Sequence, residues 1–436
     1  MQRGATSWGR WPRYRAAKLY DLHDRFALLP QDPARSMLPF GNGRSYGDVC
    51  LNREGALLRT RGLDRFIRFD PDRGTLECEA GVLLCDIIDL VLPHGWFPAV
   101  TPGTAFVTVG GAIANDVHGK NHHRAGCFSE HVLEFELCRS DGARMRCSPA
   151  ENRSWFEATV AGLGLTGLIE RAKLQLRRVP GPWIRGDSRR FANLREFFTL
   201  SRAADRDHEY TVAWIDCAAS GASLGRGVFM CGNHEHGNGQ EPKGTQLRVP
   251  LTPPFSMING ISLGFFNQLY YHRPSAVRHD AVWHYAAFLH PLDGIREWNR
   301  VYGPHGFFQY QCVVPDVTAE DSMAEIMGRI SRSGMGSCLA VLKNFGPSAS
   351  LGMLSFPRPG TSLALDFPNR GADTLQLLES LDEVTRAAGG AVYPAKDARM
   401  SAASFQQYFP AWRRFAEFVD PKFSSSFWRR VIGETP

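Results

Sequence analysis

The sequence predicts an α+β protein built from more than one structural unit, and three features carry that reading. Strand-like segments occur in adjacent pairs joined by turns, helices occur singly between them, and the pattern breaks at Pro180-Gly181-Pro182. No regular strand–helix–strand series runs through the chain, which argues against a doubly wound parallel sheet. At 436 residues the chain also exceeds what one ordinary hydrophobic core organises.

Residues 55 to 81 contain "LLRT", "FIRFD" and "TLECEAG", separated by Gly62 and "PDRG", and are predicted as strands and turns. A helix follows, with Leu84, Ile87, Ile88 and Val91 on one face and Pro93-His94-Gly95 ending it. "LEFELCRSDGARMRC" reads as strand, and "SWFEATVAGLG" centres a short helix. The second region, to about residue 390, holds a helix with Met323, Ile326, Met327 and Ile330 on one face. Another, with Leu377, Leu378, Leu381 and Val384, stops at Gly389-Gly390, and strands are predicted at "GFFQYQCVV", "CLAVLKNFG" and "SLALDFP". Residues 253 to 271, "PPFSMINGISLGFFNQLYY", are apolar but interrupted by Asn259, Gly260, Asn267 and Gln268. They read as a loop, either folded over its own domain or resting on a lipid surface.

Hydrophobic residues make up 43% and charged residues 22%, which excludes a disordered or fibrous chain. The formal charge of +6 is dispersed in pairs such as Arg189-Arg190, Arg413-Arg414 and Arg429-Arg430, so no nucleic-acid-binding tail is predicted. Anionic ligands and an anionic membrane face stay open. The first twenty residues contain no signal-peptide core, and no segment offers the roughly 20 uninterrupted apolar residues of a membrane span. The expected location is therefore cytoplasmic or peripheral at the inner membrane. Ten cysteines without any C-x-x-C pair read as reduced, mostly buried thiols.

Two glycine-rich stretches carry the chemistry. In "LPFGNGRSYGDV" a dinucleotide turn of the G-x-G-x-x-G kind fails, because the third glycine comes one residue late and a poor helix start follows. A phosphate loop at Gly119-Lys120 fails too, since Ala114 and Asn121 stand where glycine and Ser/Thr are needed. What survives is an irregular anion nest, in which glycines at positive φ let backbone N–H groups converge on phosphate oxygens and Arg44 adds charge. A plain tight turn is the alternative. The second stretch, "TPGTAFVTVGGAIANDVHGKNHH", favours a long diphosphate ligand lying between two loops. A metal at His118, His122 and His123 is not expected, because no carboxylate or thiol spacing supports it.

The motifs "SWGR", "GNGRSYGD", "VTVGGAIANDVHGKNHHRAG", "GLGLTGLI", "EWNRVYGPHGFFQYQ", "LKNFGP", "LDFP" and "YPAKDAR" occur in that order over nearly the whole chain. On them the sequence resembles the vanillyl-alcohol oxidase and p-cresol methylhydroxylase family of flavoproteins, and within it the branch that oxidises lipid-linked ribose. The resemblance implies an FAD domain from residues 1–180 and 390–436, with an α+β substrate domain on an antiparallel sheet, 181–389, inserted between them. It implies that Gly41, Asn42, Gly43, Arg44, Ser45, Tyr46, Gly47 and Asp48 form one FAD loop. Gly103, Thr108, Val109, Gly110, Gly111, Asn115, Asp116 and His118 belong to the second, and Ile169 and Tyr393 complete the pocket. Several relatives attach flavin through a histidine where this chain has Arg44, so the FAD is expected to be non-covalent.

Oxidising a secondary alcohol requires a group to accept the hydroxyl proton and positive charge beside the reduced flavin. Lys396, after the apolar strand "AVYPA", is the first candidate, with Tyr46 and His118 at matching family positions. Alternation places Gln309 and Gln311 on one strand face, suited to sugar hydroxyls. Lys343, inside an apolar strand, calls for a partner, either a substrate phosphate or Asp366. Tyr302 matches a sugar-side position. Ala364 stands where mycobacterial members carry the cysteine modified by nitroaromatic inhibitors, so resistance to that covalent mode is expected. The resemblance thus implies oxidation of the 2'-hydroxyl of a polyprenyl-phosphoryl ribose, with a separate NAD(P)H-dependent keto-reductase completing epimerisation to the arabinose. An oxygen-using sugar, alditol or aldonolactone oxidase and a non-catalytic binding protein for flavin or another anionic ligand are the rivals.

Overall fold

A computed structural model describes residues 5–32, 34–237, 247–273, 276–348 and 350–433. Helices and largely antiparallel sheets alternate along the chain in an α+β arrangement. Lys18–Asp21, Ala56–Arg59 and Met37–Phe40 form a small parallel sheet, with Ala56–Arg59 central. The next sheet runs Phe66–Asp70, Thr75–Glu79, Leu168–Arg178, Val132–Cys138 and Arg144–Cys147, and Trp96–Pro98 also pairs with Leu168–Arg178. Helix Leu84–Val91 turns Leu84, Ile87, Ile88 and Val91 inward as its spacing predicts, and Gly95 at φ +76° supplies the left-handed turn beyond it. Leu84, Ile87 and Val91 share a core with Val109, Ile113 and Ile169.

At Val179–Pro182 the chain leaves the first large sheet for the second. That eight-stranded antiparallel sheet has the order Val277–His284, Trp183–Phe191, Gly227–Glu235, Tyr210–Ile215, Ala340–Phe345, Gly360–Pro368, Phe307–Val314 and Ala391–Val392. Helices Leu194–Ala204, Ala319–Ser333 and Ala372–Ala387 share its principal core. Met323, Ile326, Met327, Ile330, Leu377, Leu378 and Leu381 are buried there. Tyr310 and Cys312 join the same core, which leaves the alternate residues of their strand for the opposite face.

The chain ends are tied to its beginning. Met37 N–H donates to Lys422 O at 2.6 Å, and Arg430 grips Asp48 at 2.7 and 3.0 Å and Asp397 at 3.1 Å. Asp48 and Asp397 are buried and share this guanidinium, and the Asp397 carboxylate also accepts from the N–H groups of Arg399 and Met400.

Residues 253 to 271 differ from the expected loop. Gly260–His272 is a helix of thirteen residues whose Asn259 side chain accepts from the N–H groups of Ile261 and Ser262. The Asn-Gly pair that read as a break is the cap that starts it. Among the described residues no helix is long and apolar enough to cross a membrane. All ten cysteines are free thiols.

Candidate active site

The polar face of the eight-stranded sheet meets both glycine loops. Its register sets Gln309 opposite Asp366, Gln311 opposite Ala364, Val341 opposite Ala364 and Lys343 opposite Ser362, so these residues share the face that Tyr310 and Cys312 leave. Gln309 donates to Asp366 Oδ1 at 2.6 Å, and Tyr302 O–H donates to Oδ2 at 3.4 Å. Gln311 Nε2 lies 2.8 Å from His118 Nε2, and Lys343 Nζ donates to Gly119 O at 3.1 Å. The second loop is thereby fastened to the sheet. Tyr393 O–H adds a bond to Asn115 O at 2.6 Å, and the Tyr393 ring stacks near His118 and Phe356.

The first loop is held from both sides. Tyr46 N–H donates to Ala395 O at 2.9 Å, while Trp8 and Gly9 N–H groups donate to Ser45 O and Tyr46 O. This brings Lys396 over the Tyr46 ring, with Nζ 3.9 Å from its centroid. The glycines act differently from the nest that the sequence suggests. Of the three, only Gly43 has positive φ, at +60°. Gly41 and Gly47 are required by close approach instead: a Cβ on Gly41 would lie 2.5 Å from Thr108 Oγ1, and one on Gly47 would collide with the Asp397 carbonyl. Thr108 in turn caps helix Val109–Ala114 by accepting from Gly111 N–H at 3.1 Å.

Burial dominates the electrostatics. It lowers Lys396 to about 8, an effect that Asp366 opposes, and lowers Lys343 and Lys120 each to about 7. Lys120 and Lys396 further depress Lys343 by like-charge repulsion. Burial raises Asp366 to about 7 against its hydrogen bonds and Lys396. His118 is driven well below the usual imidazole range by burial and then by Lys343, His122 and Lys396, which keeps it neutral. Tyr46 and Tyr302 are held protonated by burial.

Some expected residues serve through other groups. The Asp48 carboxylate belongs to Arg430, and that of Asp116 accepts from Ser350 and Ser355 hydroxyls and Ser129 N–H, so neither is free for a ligand. Asn42 donates to Phe106 O at 2.7 Å. Gly103 borders open space, Ile169 shares a core with Val109, and Ala364 sits between Gln311 and Val341 on neighbouring strands. His118, His122 and His123 have separate partners: Gln311, then Cys127 with Gly346 N–H, then His208 O.

Several buried polar atoms beside the loops have no partner among the described residues: Arg44 Nε, Asn115 Oδ1 and His118 Nδ1. Arg44 itself is clasped between the rings of Trp8 at 4.1 Å and Phe106 at 5.3 Å. Unspent polar groups along two glycine loops fit a polar, anionic ligand with ring systems, which is the chemistry of FAD.

The FAD binding domain family matches residues 30–148, a range that holds both glycine loops. The decaprenylphosphoryl-β-D-ribose oxidase of Mycolicibacterium smegmatis is 35% identical over 418 residues, covering 92% of this chain and 90% of that protein. The chain belongs to this family of FAD-dependent oxidoreductases. An uncharacterized Streptomyces coelicolor protein is also 35% identical, over 80% of this chain and all of its own length. Mouse L-gulonolactone oxidase is 27% identical over 40% of each chain. FAD is the cofactor of this oxidoreductase.

Sequence reasoning missed Phe106, Asp293 and Arg430. Asp293 accepts from Ala105 N–H at 2.7 Å and faces the Arg44 charge, but nothing near "HPLDG" announces this. Trp8 was visible in "SWGR", whereas its stacking on Arg44 requires the fold.

Proposed function

We propose that the protein oxidises the 2'-hydroxyl of a polyprenyl-phosphoryl-β-D-ribose to the 2'-keto sugar, with FAD bound non-covalently. The arrangement that supports this most is the polar sheet face, where Lys396, Asp366, Gln309, Gln311 and Lys343 converge on the two loops. The name of the 35% identical relative supplies the substrate class.

Residues 41–48, with Thr108–Gly111, Asn115, His118 and Tyr393, would hold FAD, largely through backbone groups. Arg44 offers no imidazole for a covalent link. Bound FAD supplies the two-electron acceptor for the hydride of the alcohol carbon. Lys396 Nζ takes the hydroxyl proton in its neutral form, which its lowered pKa makes available near pH 8. Gln309 and Gln311 position sugar hydroxyls. Lys343, bonded to the Gly119 carbonyl but with no carboxylate partner among the described residues, meets the substrate phosphate, which restores its charge. Neutral His118 is oriented by Gln311. The keto product then calls for a separate NAD(P)H-dependent reductase to give the arabinose epimer.

The partial likeness to L-gulonolactone oxidase favours one rival, a free-sugar or aldonolactone oxidase. Incubation with a short-chain prenyl-phosphoryl ribose followed by borodeuteride trapping separates the two. Deuterium at C2 of ribose and arabinose products supports the proposal. Turnover of gulonolactone or free sugars, with the lipid-linked ribose untouched, refutes it.

A further inference from the structure

The helix Gly260–His272 is turned inside out. Its buried positions are Leu263 and Asn267, the latter donating to Asp216 Oδ1 at 2.7 Å. Its outer stripe is Ile261, Phe265 and Leu269, spaced i, i+4, i+8 and exposed by 87%, 73% and 61%. The preceding segment adds exposed Leu251, Phe255 and Met257. Apolar surface concentrated in this way on one element marks an interaction site.

Two observations name the occupant. From Leu247 to His279 the sequence has no aspartate or glutamate, but it has Arg248, Arg273 and Arg278, of which Arg248 pairs with Glu297 at 2.7 Å. An apolar stripe in a stretch without carboxylates, flanked by Arg273 and Arg278, complements an anionic lipid surface, in which the rings enter the headgroup boundary and these two arginines meet phosphates. The segment is also continuous with the candidate active site. Met257 N–H donates to Val301 O at 2.8 Å, Arg10 donates to Thr252 Oγ1 at 3.1 Å, and Gly303 leaves no space for a Cβ against the Phe255 backbone. Ile258 packs on the cluster of Tyr46, Trp298, Tyr302 and Phe307.

We infer that residues 247–273 dock the protein on an anionic bilayer, so that a lipid-linked substrate reaches the Tyr46–Tyr302 side of the site without leaving the membrane. The second half of this inference rests on the proposed substrate; the docking does not.

The test uses the FAD-loaded full chain and co-sedimentation with phosphatidylglycerol/phosphatidylcholine vesicles. The wild type is expected to sediment with them, and a variant carrying Ile261→Ser, Phe265→Ser and Leu269→Ser to bind at least about tenfold more weakly. Both are expected to keep their flavin and equal turnover of a short-chain, water-soluble substrate. Wild type that stays in the supernatant, or a triple variant that sediments equally well, overturns the docking. So does a wild-type dimer in lipid-free buffer that the triple variant dissolves to monomers, because a second copy then covers the stripe. Vesicle binding without oxidation of lipid-linked ribose leaves the docking standing and removes only the substrate reading.

Discussion

Replacing Lys396 with methionine removes the proposed proton acceptor while keeping a long apolar stem against Tyr46. With a pKa of about 8, roughly one tenth of Lys396 is neutral at pH 7 and about half at pH 8. If the neutral amine takes the hydroxyl proton, kcat/KM should rise nearly tenfold from pH 7 and level off above pH 8. Lys396→Met should lower the plateau by about 10²- to 10⁴-fold and abolish the rise, with flavin content unchanged. Asp366 provides an internal control. Its negative charge favours protonated Lys396, so Asp366→Asn should move the inflection to lower pH. The assay is anaerobic flavin reduction by stopped flow, which isolates the chemical step. An inflection that persists unchanged in Lys396→Met refutes the assignment.

Lys343 gives a stability prediction with a definite sign. Its folded pKa of about 7 lies below its unfolded value, so folding releases a proton between pH 7 and 10.5 and stability rises with pH across that window. Substrate-free Lys343→Met should be more stable than wild type at pH 8 by about 3 kcal/mol, a difference that shrinks towards pH 10 in urea unfolding and is accompanied by a raised KM for phosphorylated substrate. Gly47→Ala should lose flavin and melt earlier, because the methyl meets the Asp397 carbonyl and Ala398 Cα, both main-chain atoms; unchanged absorbance would contradict this. Arg430→Leu strips the buried Asp48 carboxylate of its ion pair and removes one of the Asp397 partners, and should cost about 3–5 kcal/mol in chemical denaturation. Ala364→Cys, on the sheet face opposite Gln311, should retain turnover while gaining a thiol that substrate protects from alkylation.

Alternation and helical spacing carried much of the fold to the page. "GFFQYQCVV" holds a strict period of two, so the separation of Gln309 and Gln311 from Tyr310 and Cys312 is legible in the sequence. The helices bearing Met323 and Leu377 announced themselves by one apolar face. Helix Gly260–His272 did not, because its apolar face points outward and glycines stand at two of its positions. The glycines of "GNGRSYGD" were legible as a tight loop, but the reason differed: packing against Thr108 and Asp397 involves residues 67 and 350 positions away, which no local pattern encodes. The Arg430 clamp was hidden for the same reason. Its two carboxylates lie hundreds of residues and tens of residues away in sequence.

The visible spectrum of the purified protein, recorded before and after anaerobic addition of a short prenyl-phosphoryl ribose, tests cofactor and substrate together. A flavin spectrum is expected that bleaches with this substrate and not with gulonolactone, from a flavin released into the supernatant on acid denaturation. A flavin spectrum that bleaches only with free sugars or lactones would contradict the proposed substrate. A flavin that stays with the precipitated chain would contradict non-covalent binding.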